Sequence, residues 1–255
     1  MLLDLLVLFI GAIGIGFVSA IAGIGGGSLM VPFMVLVLNY NVKIAIATSL
    51  LSIVVTSSSA ASVYLKKGMV DLKAALLLEP ITALGAIVGA NITLTLPVKM
   101  VKGALGMLLL WISIMMLRKA LKRVSHEEST VKVLPHRKLL AVLASFLAGL
   151  TSGMFGIGGG VIKVPLMTLV LGLPIKVAVA TSSFMIGLTA TSGGIVYLTR
   201  GYVDPLSVSA LALGIIPGAT LGAKFMKKLR PWIIRFVFSF ILLYASIRLL
   251  YSILF

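Results

Sequence analysis

"AIAGIGGGSLMVP" occupies residues 20–32 and "GMFGIGGGVIKVP" residues 153–165. In both stretches three consecutive glycines precede a proline at the same spacing, inside an otherwise apolar chain. Superposing Gly25 on Gly158 sets an offset of 133 residues, and the register holds far beyond the glycines. Pro32 falls on Pro165, Lys43 on Lys176, Thr48 and Ser49 on Thr181 and Ser182, Tyr64 on Tyr197, Gly68 on Gly201 and Asp71 on Asp204. Gly85, Ala86, Gly89 and Ala90 fall on Gly218, Ala219, Gly222 and Ala223. Apolar helices resemble one another by composition, but composition does not keep glycine, proline and aspartate in register across two loops. The chain therefore reads as two homologous halves, residues 1–120 and 138–255. The one long polar stretch, with its basic residues over 121–137, is the linker between them.

The 255 residues are 60% hydrophobic and 11% charged, against about a quarter charged in soluble domains, which places this chain in a bilayer. Apolar stretches recur at 2–24, 28–40, 44–65, 72–96 and 100–117, and again at 138–155, 161–173, 177–198, 205–223 and 232–255. Most approach the ~20 residues that cross a hydrocarbon core as helix. The expected fold is all-α and polytopic, each half holding three spanning helices and a glycine-broken or re-entrant hairpin. With no cysteine, disulfides and thiolate metal sites are excluded. The opening "MLLDLLVLFI" carries an aspartate and no basic residue, which argues against a cleaved signal peptide.

Lysine and arginine collect in cytoplasmic loops, so their distribution tests whether the halves lie parallel or inverted. An odd number of crossings per half, with the linker inside, puts sixteen basic residues in the cytoplasm and four outside: Lys43, Lys99, Lys102 and Arg200. An even number gives eleven against nine. The inverted arrangement is expected, with both termini outside the plasma membrane and the basic loops against anionic lipid.

The second arm of each glycine hairpin is too short for a ~30 Å core, so the turn is expected within the membrane. Irregular backbone at that depth is tolerated only where protein buries it or a cavity borders it. Gly25, Gly26 and Gly27, and likewise Gly158, Gly159 and Gly160, allow a tight turn that leaves amides bare at a helix N-terminus, a setting that binds anions. Short, glycine-interrupted segments at matching places in two halves are the sequence sign of a secondary transporter's substrate site. The bland alternative is close helix packing. A nucleotide-binding loop is excluded by the missing strand and P-loop lysine.

These residues resemble the TauE/SafE sulfite exporter family. The resemblance rests on the duplicated "GIGGG" and proline, the "ATS" that follows each, the loops "KKGMVD" (66–71) and "TRGYVD" (199–204), and the patterns "LGAIVGA" (84–90) and "PGATLGA" (217–223). It covers nearly the whole chain outside the linker. It implies export of small sulfur-containing anions, sulfite or organosulfonate, from the cytoplasm.

Lys163, close to the second glycine turn with Met30 as its counterpart, is the leading side chain for an anion, since an intramembrane lysine is costly unless it has work to do. Its alternative is to snorkel to the interface. Ser28, Thr48, Ser49, Thr181, Ser182 and Ser183 offer hydroxyls, although each could bond back to its own helix instead. "TSSSAAS" (56–62) and "TATSGG" (189–194) continue this small polar stripe. Glu79, beside Pro80 and opposite Ala212 in the repeat, is the candidate to carry a coupling proton or to pair with Lys163, its alternative being to face headgroups near the helix's cytoplasmic end. Asp71 and Asp204 are expected to cap helices. His126 and His136 lie in the linker without metal-ligand spacing, so neither metal nor cofactor is expected. No nucleophile–base set appears, which makes an intramembrane enzyme a poorer reading than a transporter or a passive anion channel. Nucleic acid is not an expected partner, and no feature specifies an oligomeric state.

Overall fold

In the computed structural model, residues 2–22, 25–121, 135–225 and 231–254 are described. Most of the linker, including His126, lies outside them. The described residues form ten helices and no strand: α1 (Leu2–Ala22), α2 (Gly27–Val37), α3 (Val42–Lys66), α4 (Leu72–Thr95), α5 (Val98–Leu121), α6 (Pro135–Phe155), α7 (Gly160–Leu169), α8 (Ile175–Thr199), α9 (Pro205–Phe225) and α10 (Pro231–Leu254). Six of them (α1, α3, α4, α5, α8 and α9) are long and apolar enough to cross a membrane. The chain is a multi-pass membrane protein.

The arms α2 and α7 are shorter than the apolar stretches that announced them, 11 and 10 residues, or about 15 Å at ~1.5 Å per residue. Asn39 and Gly172 end them early by adopting positive φ, 55° and 68°. The following amides of Tyr40 and Leu173 then reach back to the carbonyls of Met34 and Met167. Such left-handed residues close helix C-termini by satisfying last-turn carbonyls. Asp71 caps α4 by accepting the N–H of Ala74, as expected. Asp204 accepts from the N–H of Leu206 and from the Ser207 hydroxyl.

Contacts recur with the offset seen in the sequence. The Tyr64 hydroxyl donates to the Ala20 carbonyl at 2.6 Å, and that of Tyr197 to the Gly153 carbonyl at 2.9 Å. Gly85 and Gly89 of α4 lie on the α6 backbone at Phe146 and Leu150, and Gly218 and Gly222 of α9 on the α1 backbone at Ile13 and Phe17. A side chain at any of these glycines would strike a carbonyl oxygen, so they let two backbones approach as small residues do between membrane helices.

The most buried spans, α3 and α8, pack on each other in opposite directions. Leu50 and Leu51 neighbour Gly193 and Gly194, while Ser57 neighbours Gly187 and its hydroxyl donates to the Ser183 carbonyl. Helices α5 and α10 also run oppositely: Gly106 meets Leu250, and the Ser113 hydroxyl donates to the Ser239 carbonyl. The α4–α6 and α1–α9 pairs run in the same direction.

Candidate functional site

Both glycine turns end at the middle of the α3–α8 pair. A Cβ at Gly25 or at Gly158 would press on the Ile186 side chain, with Ile53 next nearest. Ile53 and Ile186 are themselves related by the repeat offset. Gly26 and Gly159 are the N-caps of α2 and α7, at φ 86° and 71° in the left-handed region that favours glycine. Each starts its helix through its carbonyl, which accepts the N–H of Met30 or of Lys163. The Leu29 and Ile162 amides share those carbonyls, while the first two amides of each helix have no carbonyl one turn back to bond. Pro32 and Pro165 lack the N–H that the carbonyls of Ser28 and Val161 would take four residues on.

The turns interlock around Gly156, whose own φ is 67°. Its carbonyl accepts the Ser49 hydroxyl at 3.0 Å and lies against Gly27 so closely that a Cβ there would overlap it. Its N–H donates to the Ser152 carbonyl at 2.8 Å. Three buried hydroxyls, those of Ser28, Thr48 and Ser152, make no hydrogen bond to the protein. Ser28 follows Gly27 and Ser152 is one turn before Gly156, whereas Thr48, about 100° around α3 from Ser49, is turned from the face that carries Ile46, Ser49 and Ile53. Ser152 also sits beside Gly159, its Cβ 3.5 Å from where a Gly159 Cβ would stand. Buried polar groups are normally paired, so the orphans Ser28 and Ser152 beside the glycine turns are an anomaly with a location.

The remaining expected hydroxyls are employed elsewhere. Thr181 accepts the N–H of Asp71 at 2.9 Å and thereby ties α8 to the α3–α4 loop. Ser183 and Ser57 meet near that end of the α3–α8 pair. Ser57 lies eight residues along α3 from Ser49, or about 12 Å at ~1.5 Å per residue. Thr48 and Ser49 thus stand on one side of Ile53, and Thr181, Ser182 and Ser183 on the other; the two groups are not brought together.

Lys163 is fully buried and does not snorkel. Its Nζ donates to Glu79 Oε2 at 2.9 Å and to Thr189 Oγ1 at 2.5 Å, and the Thr189 hydroxyl donates to Glu79 Oε1 at 2.5 Å. Three helices, α7, α4 and α8, meet in this closed triad. The pairing with Lys163 is one of the roles expected of Glu79. Thr189 was visible only as part of a small polar stripe, and Ser152 and Gly156 were not singled out at all. Among the described residues no group of three His, Cys, Asp or Glu side chains stands ready for a metal.

Residues 8–249 match the family model described as "Sulfite exporter TauE/SafE". The chain is 28% identical to the "Probable membrane transporter protein YunE" of Bacillus subtilis, over 93% of this chain and 94% of that one. It is 31% identical to "Probable membrane transporter protein YdhB" of the same organism, over 88% and 89%. "Sulfite exporter TauE/SafE family protein 6" of Arabidopsis thaliana is 38% identical over 42% of this chain and 25% of its own length. No solved structure matches the chain.

Proposed function

Since the chain belongs to the TauE/SafE family of membrane transporters, we propose that it exports small sulfur-containing anions, sulfite or an organosulfonate, through a site formed where its two glycine turns meet. The observation that carries this reading is the pair of unpartnered buried hydroxyls, Ser28 and Ser152, beside Gly156 and the N-termini of α2 and α7. Helix N-termini supply partial positive charge and free N–H donors, and hydroxyls supply the hydrogen bonds an oxyanion loses with its water. Lys163 adds a full charge one turn into α7, and Glu79 is the group that carries a coupling proton.

The halves are inverted repeats in this proposal, and a pseudo-two-fold axis in the membrane plane passes between Ile53 and Ile186. Opposed α3 and α8, opposed α5 and α10, and contacts that recur at the repeat offset support that symmetry. The linker then faces the cytoplasm and both termini face out. Alternating access would follow from rocking one half against the other about the fixed turns.

The test is flux. Purified protein in liposomes is screened with sulfite, methanesulfonate, sulfoacetate, sulfate and simple carboxylates. Saturable, protein-dependent flux of sulfite or a sulfonate is the expected result. Flux of none of them overturns the reading. Saturable flux that an imposed pH gradient leaves unchanged favours a passive anion channel.

A further inference from the structure

We propose that the Glu79 carboxylate holds, on the Lys163 ammonium, the place of a transported anion's single negative charge, so that one proton and one monovalent oxyanion occupy the site together and cross without net charge. The inference rests on the transporter reading above and adds to it the valence of the substrate and the direction of the proton.

The repeat provides an internal control. At the positions that the repeat relates to Lys163, Glu79 and Thr189 stand Met30, Ala212 and Thr56. Met30 is fully buried, and the Thr56 hydroxyl turns back to the Ser52 carbonyl within its own helix. The same architecture therefore joins the two halves by an ion pair at one place and holds no charge at the repeat-related place. Buried ion pairs rarely improve on well-packed apolar side chains, because desolvating two charges offsets their attraction. The pair is consequently not a requirement of the fold, and an intramembrane charge retained without structural need is a functional feature.

Position gives that feature its task. The Lys163 N–H bonds to the Gly159 carbonyl, and Gly159 abuts Ser152, whose hydroxyl is unpartnered. Side chains on a helix lean toward its N-terminus, so a lysine freed from Glu79 extends toward the α7 amides. An oxyanion arriving there meets two obstacles from Glu79: a like charge, and a competitor for the ammonium's N–H donors. A proton on a Glu79 carboxylate oxygen removes both. The ion pair becomes a neutral hydrogen bond, and no other covalent bond changes. The triad carries one positive and one negative charge before binding; afterwards lysine and anion do. A dianion would leave an uncompensated charge in a low-dielectric site, which favours a sulfonate or another monovalent oxyanion.

Among the described side chains the neighbouring helices hold no rival for this proton. Residues 139–155 of α6 contain no titratable side chain, and α7 contains only Lys163. On α8 the titratable groups are Lys176, thirteen positions before Thr189, and Tyr197, which bonds to the Gly153 carbonyl. On α4 itself Lys73 is exposed, six positions before Glu79.

The test uses methanesulfonate, which stays singly charged throughout the accessible pH range, in liposomes containing a pH-sensitive dye and a potassium-clamped membrane potential. The expected wild-type result is one proton moved with each anion, in the same direction, at a rate unaffected by the potential. Calorimetric affinity should rise about tenfold for each unit fall in pH while Glu79 titrates, the slope of one linked proton. Glu79→Gln should bind at an affinity independent of pH, move no protons and carry the anion in response to voltage. A carboxylic-acid band in infrared difference spectra, produced in the wild type by adding methanesulfonate, provides a readout without any variant. Flux without proton movement, proton movement persisting in Glu79→Gln, or absence of the infrared band overturns the proposal. So does failure to bind methanesulfonate, whichever other anion is carried; the transporter reading falls only if the whole flux panel is inert.

Discussion

Replacing Lys163 with methionine copies the residue at the equivalent place in the first half, Met30, while leaving the Glu79 carboxylate buried with Thr189 as its remaining partner in the triad. Breaking a buried pair by removing one member costs about 3–5 kcal/mol, because the surviving charge loses its compensation without regaining water. Glu79→Gln strands the ammonium in the same way. The double variant Lys163→Met/Glu79→Gln strands neither charge, and the amide can still accept from Thr189. Its loss should be about 1 kcal/mol, the net worth of an ordinary intramolecular hydrogen bond. Thermal unfolding of the purified protein, followed by tryptophan fluorescence, reads the cycle. For a chain of this size about 1 kcal/mol moves Tm by ~2–4 °C, so each single variant should fall by about 10 °C and the double by only a few degrees. The coupling energy would then exceed ~3 kcal/mol, beyond the usual tolerance of additivity. Additive losses, with the double variant the least stable of the three, would refute the argument that the two charges form one buried unit.

Other outcomes follow from the same geometry. Gly26→Val and Gly159→Val should abolish flux, since left-handed backbone costs a β-branched residue about 1–3 kcal/mol and the added Cβ would meet Ser19 Oγ or the Ala148 carbonyl at 2.8 Å; vesicle flux beside Tm measures both effects. Tyr64→Phe and Tyr197→Phe each leave a buried carbonyl without its donor, and each should lower stability by about 1–3 kcal/mol in the same unfolding assay. Single cysteines introduced into this cysteine-free chain should react from outside at either terminus and at Arg200, and only from inside within the linker; a cytoplasmic C-terminus would contradict the inverted arrangement.

Much of the architecture was legible because the repeat is written in residues with few substitutes. Glycine marks both the left-handed N-caps and the backbone-to-backbone contacts of α4 with α6 and of α1 with α9, so an offset found in glycines became an offset in contacts. The arms were read too long because hydropathy does not register that Asn39 and Gly172 take positive φ; apolar residues continue past the last helical turn. The site was less legible for a related reason. Thr48 and Thr181 are equivalent in sequence, yet one hydroxyl is unpartnered and the other accepts the N–H of Asp71. Gly156 and Ser152 escaped notice because the repeat matches them with Gly23 and Ser19, so the sequence offers nothing to set them apart. The structure does: the Ser19 hydroxyl turns back to the Ile15 carbonyl within α1, whereas that of Ser152 makes no bond. The triad of Lys163, Glu79 and Thr189 breaks the repeat at two of its three members, and those two charges stand out against the apolar sequence around them.

Anion affinity and stability measured together on Ser28→Ala and Ser152→Ala test the central claim most directly. A hydroxyl that makes no bond in the protein contributes nothing to holding the fold, so removing it should leave Tm unchanged or raise it. The same hydroxyl, if it replaces an oxyanion's water, donates a charge-assisted bond of about 1.5–3 kcal/mol, and its loss should weaken calorimetric sulfite or sulfonate affinity roughly tenfold to a hundredfold. Weakened binding with stability intact in these variants is the predicted result. Unchanged affinity accompanied by a fall in Tm would place these hydroxyls in the packing of the helices and remove the anion site from the glycine turns.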